Sequence, residues 1–343
     1  MASNGYQHSL LLDNEGYIWR WDHKCRYSYD PRAVMGYCRM DDLPSDIVYI
    51  SAGHSQSLFL DSEGTVWMWY CENSQPTKIK GLPTITSIFA VHQSSFVIDN
   101  QGSVWAWGEN KYGQLGLGDK ENKDTPRKIK NLPLIVSISG DEFHSLFLDN
   151  EGKVWTAGHD KSTWETTYQT VPEKITGLPT ITSIAGGYTY SMFIDTEGDV
   201  YARGTNFYGG LGLGHTNVTC TPEKISNLSN ITQIAGGHYC TMFLDKDGNV
   251  FTCGNNECGQ LGLGHYFNKL HPEKVNNIPP VSSLVSSVDT LQFFHIIDFE
   301  GNVWGSGNSQ CKSCQFEKIL GVPPLRLSAS RFHKTKSARS LSP

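Results

Sequence analysis

The chain has 343 residues, with 28 Lys or Arg against 34 Asp or Glu and a formal charge of -6. That balance excludes a generic nucleic-acid coat, which needs a basic surface. Only 18% of residues are charged and 34 are glycine, which excludes a coiled coil or a disordered chain and points to a turn-rich β protein. No run approaches the ~18 apolar residues of a membrane helix, and the opening MASNGYQHSLLLDNEG shows no basic-then-apolar export pattern. The nine cysteines form no paired framework and read as reduced thiols. Cys311 and Cys314 make a lone CxxC with no second ligand pair, which reads as a loop tip rather than a zinc site.

In chain order, one string recurs seven times: DNEGYIW at 13–19, DSEGTVW at 61–67, DNQGSVW at 99–105, DNEGKVW at 149–155, DTEGDVY at 195–201, DKDGNVF at 245–251 and DFEGNVW at 298–304. A short apolar run precedes each Asp and an alternating run follows each Gly, so each copy reads as a β-hairpin about a tight turn. A further run comes before the hairpin (ITSIAGG at 181, ITQIAGG at 231) and another after it (PRKI at 126, PEKI at 172 and 222, PEKV at 272). The unit is therefore four short strands, A to D, the size of a propeller blade.

These counts predict an all-β fold: a seven-bladed β-propeller of four-stranded antiparallel blades, one domain over residues 1–333 with a basic, disordered tail at 334–343. Strand A recurs around Ile50, Ile88, Ile138, Ile184, Ile234 and Leu284, but the first repeat begins at its B strand, Ser9 to Leu12. The missing copy is expected at Leu325–Ser330. A C-terminal strand would then complete the N-terminal blade and close the ring without a free sheet edge.

Three C–D connections are more specific than blade geometry demands: GENKYGQLGLGD from Gly108, GTNFYGGLGLGH from Gly204 and GNNECGQLGLGH from Gly254. With the Asp-x-x-Gly-x-Val-Trp hairpin and the Pro-x-Lys-Ile strand, this loop resembles the repeats of the regulator of chromosome condensation family. The glycines allow tight turns and paired leucines such as Leu115 and Leu117 can anchor the loop between blades. No GxxxxGK[ST] or following helix supports phosphate binding.

The aromatic at Trp19, Trp67, Trp105, Trp155, Tyr201, Phe251 and Trp304 recurs once per blade and reads as core, with Trp21, Trp69 and Trp107 extending it on the same strand face. The seven turn aspartates read as bonding their own turns rather than forming a carboxylate array. There is no GxSxG, HExxH or spaced His/Cys set, so neither bond-making catalysis, a cofactor nor a metal is expected.

Positions that break the repeat carry more information. The A–B turns open on one end of the propeller near its channel and offer His54, Gln56, His92, Gln93, Asp141, Glu142, Phe143, His144, Tyr188, Tyr190, His238, Tyr239 and Asp289, with Arg331 and Phe332 from the C-terminal copy. These read either as a protein-docking surface or, in part, as a plug for the channel mouth. After residue 325 come five Lys/Arg and no acid, leaving 23 basic against 34 acidic residues elsewhere; the tail reads as solvated.

Two functions compete. One is a non-catalytic interaction scaffold or adaptor; the other, implied by the resemblance, is guanine-nucleotide exchange on, or binding of, a Ran-type small GTPase. For exchange the resemblance implies acidic and His residues on the docking face, best matched by Asp141, Glu142 and His144. Against it, no β-wedge insert is present, and Gly113, Gly209 and Gly259 stand where an exchange-type His is expected. Either way a monomer in cytoplasm or nucleus, with a protein partner and neither nucleic acid nor membrane, is expected.

Overall fold

A computed structural model of the chain describes residues 1–5, 8–13, 15–22, 37–70, 75–159, 168–285, 293–307, 314–319 and 325. The hairpin turn is the local unit from which everything else is built. In blade 3, Asp99 ends strand B and its Oδ1 accepts the backbone N–H groups of Gln101 (2.9 Å) and Ser103 (2.8 Å), while Oδ2 accepts the indole N–H of Trp105 at 3.0 Å. The same three bonds recur in blades 1, 2, 4 and 7. In blade 6, where Phe251 has no donor, Asn249 Nδ2 donates to Asp245 Oδ2 instead (2.8 Å). Gly102 takes the left-handed conformation the turn requires (φ 78°).

Seven such hairpins, each with two flanking strands, make seven four-stranded antiparallel sheets in the order A-B-C-D. Blade 1 comprises Ala2–Asn4, His8–Leu12, Ile18–Asp22 and Tyr37–Arg39; blade 2 comprises Ile47–Ala52, Gln56–Asp61, Val66–Tyr70 and Thr77–Lys78. Blade 3 follows with Ile85–Val91, Ser94–Asp99, Val104–Gly108 and Lys123–Lys128, and blade 4 with Ile135–Gly140, His144–Asp149, Val154–His159 and Tyr168–Lys174. Blade 5 is Ile181–Gly187, Tyr190–Asp195, Val200–Gly204 and Thr219–Lys224; blade 6 is Ile231–Gly236, Cys240–Asp245, Val250–Gly254 and Lys269–Lys274. Blade 7 is Val281–Val285, Phe293–Asp298, Val303–Gly307 and Glu317–Lys318. Successive inner strands pack in a ring in which blade 1 meets blade 7, the expected seven-bladed propeller. Among the described residues there is no helix, so none is long and apolar enough to cross a membrane.

Apolar packing lies between blades. Between blades 2 and 3, for instance, Leu58, Leu60, Val66 and Met68 meet Ile85, Ile88, Val97 and Trp107. A cluster of this kind fills each of the seven interfaces, and the repeat's aromatic packs against one cluster apiece, half-buried, from Trp19 to Trp304. Its indole lies flat between blades because Asp holds its N–H; that burial and that bond satisfy the same side chain.

The closure differs from the expected one. The inner strand of blade 1 is Ala2–Asn4, paired Ala2↔Leu11, Ser3↔Leu10 and Asn4↔Ser9, rather than Leu325–Ser330. Leu325 instead makes an isolated antiparallel bridge to Asp13, and its buried side chain joins Leu11, Val285, Ile297 and Val303 between blades 7 and 1. Residues 326–343 lie outside the described residues. A short link from Gly5 to His8 brings Ala2–Asn4 beside its own hairpin, so no long return of the chain is required.

At the hub the inner strands are stitched by hydroxyls. Ser3 Oγ accepts the N–H of Ala52, Ser51 Oγ that of Ala90 and Ser139 Oγ that of Gly186, each at 2.9 Å. Between blades 4 and 5 the approach is so close that a Cβ on Gly186 would stand 2.6 Å from Gly140 Cα. A central cavity of about 300 Å³ remains, bounded by these strands and, at its mouth, by His54 and His92.

Burial alone would push the Asp99 carboxyl up, but the Trp105, Ser103 and Gln101 donors outweigh it and hold it below the ordinary carboxylate value. The turn's contribution is therefore present above that ordinary value and lost as pH falls through the lowered one. Asp99→Ala should cost about 1–3 kcal/mol at neutral pH in urea unfolding, and the gap to wild type should narrow below about pH 4.

Candidate protein-docking face

Antiparallel A-B-C-D order brings A–B turns and C–D loops out at one end of every blade. They are bonded there: Glu109 N–H to Gln93 O (3.1 Å), His159 N–H to Phe143 O (2.8 Å), Thr205 N–H to Thr189 O (3.0 Å) and Asn255 N–H to Tyr239 O (2.9 Å). The three glycine-rich loops share one scaffold. Leu115, Leu211 and Leu261 are fully buried, and the N–H of each donates to Oδ1 of Asn110, Asn206 or Asn256. The loop then crosses to the next blade's D strand, where Gly118 N–H donates to Thr170 O, Gly214 N–H to Leu270 O and Gly264 N–H to Cys314 O. The leucine anchors were legible in the sequence; the asparagine that holds them was not singled out.

Five of the expected docking residues are structural. Gln56, Asp141, Phe143, His144 and Tyr190 are all buried, at 5% exposure or less. Gln56, His144 and Tyr190 each open strand B, where the side chain points at the next blade. His144 Nε2 pairs with Ser191 Oγ at 2.9 Å, Gln56 Nε2 donates to Ser94 O at 3.4 Å, and Tyr190 OH donates to Cys240 O at 2.8 Å. In blade 1, His8 makes the equivalent contact to Ser57. Comparing the first residue of every B strand would have exposed this pattern.

Asp141 is the most constrained of the five. Its Oδ1 accepts the N–H groups of Phe143 (2.7 Å) and His144 (2.9 Å) and lies 2.9 Å from His144 Nδ1, while Oδ2 accepts the N–H of Thr189 in blade 5 at 2.6 Å. Burial would raise its pKa, but the His144 ring and these donors win and the carboxyl sits below its ordinary value. It is a blade-to-blade clamp.

The remaining expected residues reach the surface. His54, His92, Glu142, Tyr188, His238 and Tyr239 are half-buried and Gln93 is exposed; Asp289, Arg331 and Phe332 lie outside the described residues. With Tyr112, His159, Tyr168 and Tyr208, which the sequence reading missed, the aromatic members form one row across blades 3 to 6. Tyr112 meets Phe143 (centroids 4.9 Å apart), Phe143 meets Tyr188 (5.5 Å), Tyr188 stacks on His238 (4.1 Å) and Tyr239 meets Tyr208 (4.9 Å). Tyr168 and His159 extend it outward, with Lys120 over the Tyr168 ring at 4.3 Å.

Beside the row, His92 stands 4.0 Å from both Glu109 and Glu142 and edge-on to His54 at 4.6 Å. Burial, then the neighbouring His54, push the His92 imidazole down to about 4 despite Asp141. At neutral pH it carries no charge, so these contacts are not ion pairs and the two glutamates give the channel mouth an acidic character. No group of three or more His, Cys, Asp or Glu that could hold a metal ion occurs among the described residues. This face has the ingredients for recognising a surface: half-buried rings with polar edges, flanked by carboxylates and held on a rigid ring.

The family model described as regulator of chromosome condensation (RCC1) repeat matches residues 101–148, 197–244 and 247–289, and a second model of that description matches 85–114 and 231–260. Among solved structures, yeast RCC1 (Prp20), crystallised with Kap60, is 20% identical over 82% of this chain and 77% of its own, with a TM-score of 0.73. Human WBSCR16 is 20% identical over 84% of each chain, with a TM-score of 0.71. Prp20p from Saccharomyces cerevisiae, described with its binding to Gsp1p and histones, is 19% identical over 83% of this chain and 80% of its own, at 0.72. At these identities the likeness is one of fold. No curated protein sequence matches the chain.

Two outcomes follow from the buried groups. Asp141→Ala should cost about 3–5 kcal/mol in urea unfolding, because it strips the His144 ring of its buried partner. For His92 the folded pKa lies below the unfolded 6.5. The unfolded chain therefore binds the proton first, and stability falls as pH drops from about 6.5 towards 4. A His92→Gln variant should lose that part of the pH dependence, read as urea midpoints across the range.

Proposed function

Since the chain belongs to the RCC1 repeat family, we propose that it is a protein-interaction propeller that performs no bond-making chemistry and docks a protein partner on the A–B face. The aromatic row from Tyr112 to Tyr208 carries this reading. Such rings add large contact area at small conformational cost, and their fixed backbone means little ordering is left for the moment of binding. The docking residues are the ones that reach the surface: His54, His92, Gln93, Glu142, Tyr188, His238 and Tyr239, joined by Glu109, Tyr112 and Tyr208. Asp289, Arg331 and Phe332 remain assigned to the same surface by their place in the repeat.

A second reading, exchange on a Ran-type GTPase, is favoured by the likeness to Prp20p, a protein that binds Gsp1p. Exchange needs only a surface that binds the nucleotide-free GTPase better than the loaded one. The acidic mouth formed by Glu109 and Glu142 would serve that end.

Release of fluorescent GDP from a Ran-type GTPase separates the two. Acceleration that Glu142→Ala with Tyr188→Ala abolishes, while the unfolding midpoint stays put, establishes exchange at this face. Without acceleration, a photo-crosslinking residue placed at Tyr188 should capture a partner that the same residue at Phe299, on the opposite end, does not. Equal capture at both positions would sink the docking face.

A further inference from the structure

The opposite end of the ring, built from B–C turns and D–A links, departs from its own repeat at one place. In blades 4, 5 and 6 strand D reads Pro-Glu-Lys, and in blade 7 Phe-Glu-Lys, so an acid (Glu173, Glu223, Glu273, Glu317) precedes each lysine. Blade 3 instead reads Pro-Arg-Lys-Ile-Lys, placing Arg127, Lys128 and Lys130 together. Its turn also carries Gln101 where six blades have Glu or Asp. Blade 2 adds Lys80. All four cations are exposed, and none makes an ion pair among the described residues.

The strand that follows breaks the repeat in a second way. Where other blades have Thr84, Thr180, Asn230 or Pro280, blade 4 has Leu134, which is 53% exposed. Two residues on, Thr86, Thr182, Thr232 and Ser282 bond back to their own sheets through a hydroxyl, whereas blade 4 has Val136, 40% exposed. The substituted positions are neighbours in space. Leu134 would meet a Cβ placed on Gly102 in the blade 3 turn at 2.7 Å. The Lys80 link reaches the same turn through the Asn100 N–H to Thr84 O bond at 3.0 Å. Arg127, opposite Ala106, shares the sheet face turned towards blade 4. The nearby acids are Asp124 on strand D and Glu151 in the blade 4 turn, the latter accompanied by Lys153.

We propose that this junction of blades 3 and 4 is a second docking site, for an acidic peptide segment of a partner protein that also carries apolar side chains. Leu134 and Val136 take the apolar groups; Arg127, Lys128, Lys130 and Lys80 take the carboxylates. Two exposed aliphatic side chains at the centre favour a peptide over a nucleic-acid backbone, which offers phosphates and no apolar partner there. The formal charge of -6 on the whole chain also opposes an extended polyanion.

The test replaces the departures with the repeat's own residues, so that the fold is retained: Arg127→Glu, Lys130→Ser, Leu134→Thr and Val136→Thr in one variant. The probe is a fluorescein-labelled peptide of Glu and Asp with one Phe and one Leu, and its Gln/Asn counterpart is the control. Wild type should bind the acidic probe, more weakly as salt rises, and the variant should bind about tenfold or more weakly with an unchanged unfolding midpoint. Equal binding by the variant, no binding by wild type up to about 1 mM, or tighter binding of a roughly 20-bp DNA duplex than of the peptide overturns the proposal. Because the site lies at the other end of the ring, its failure leaves the A–B face untouched, and a result at one end is read without the other.

Discussion

A sheet of four short strands has two faces to cover and no helix with which to cover them. In this chain every blade hides both faces against its neighbours, which is why apolar clusters sit between blades rather than within them. That constraint dictates the turn chemistry. Strands of about six residues leave little area per interface, so the indole must lie flat and in register, and the turn aspartate fixes it there. It also dictates the polar stitches. The serines of the hub and the first residues of the B strands tie each blade to the next where no apolar area is left to bury.

The docking face is what remains once those demands are met. Of the A–B turn residues, those that open strand B or cap the turn are consumed by the ring; only those at the tip are left for a partner. The C–D loops supply the rest, because each crosses to the next blade and brings Tyr112 or Tyr208 against a neighbouring turn. A continuous surface thus comes from segments that are far apart in the chain, and its rigidity is inherited from the stitches beneath it.

The sevenfold hairpin, the blade count, the inter-blade aromatic and the leucine anchors were all legible in the sequence, because each recurs and recurrence averages out local ambiguity. Side-chain direction was not. His144 and Tyr190 look like turn residues by position, yet period-two alternation points them into the next blade. Strand Ala2–Asn4 was missed because it carries no apolar alternation; its serine serves the hub and its backbone serves the sheet. The aromatic row depends on convergence of separate loops, which no spacing within one repeat reveals.

The hub sets how such a molecule can change over generations. Between Gly140, Gly186 and Gly236 there is no room for a methyl group, so a side chain at any of them acts as a wedge between two blades. In a closed ring a wedge cannot be absorbed where it stands: every other interface must shift to accommodate it. Substitutions therefore accumulate at the rim, where loops differ in length and charge from blade to blade, and the hub admits novelty only as a whole blade gained or lost.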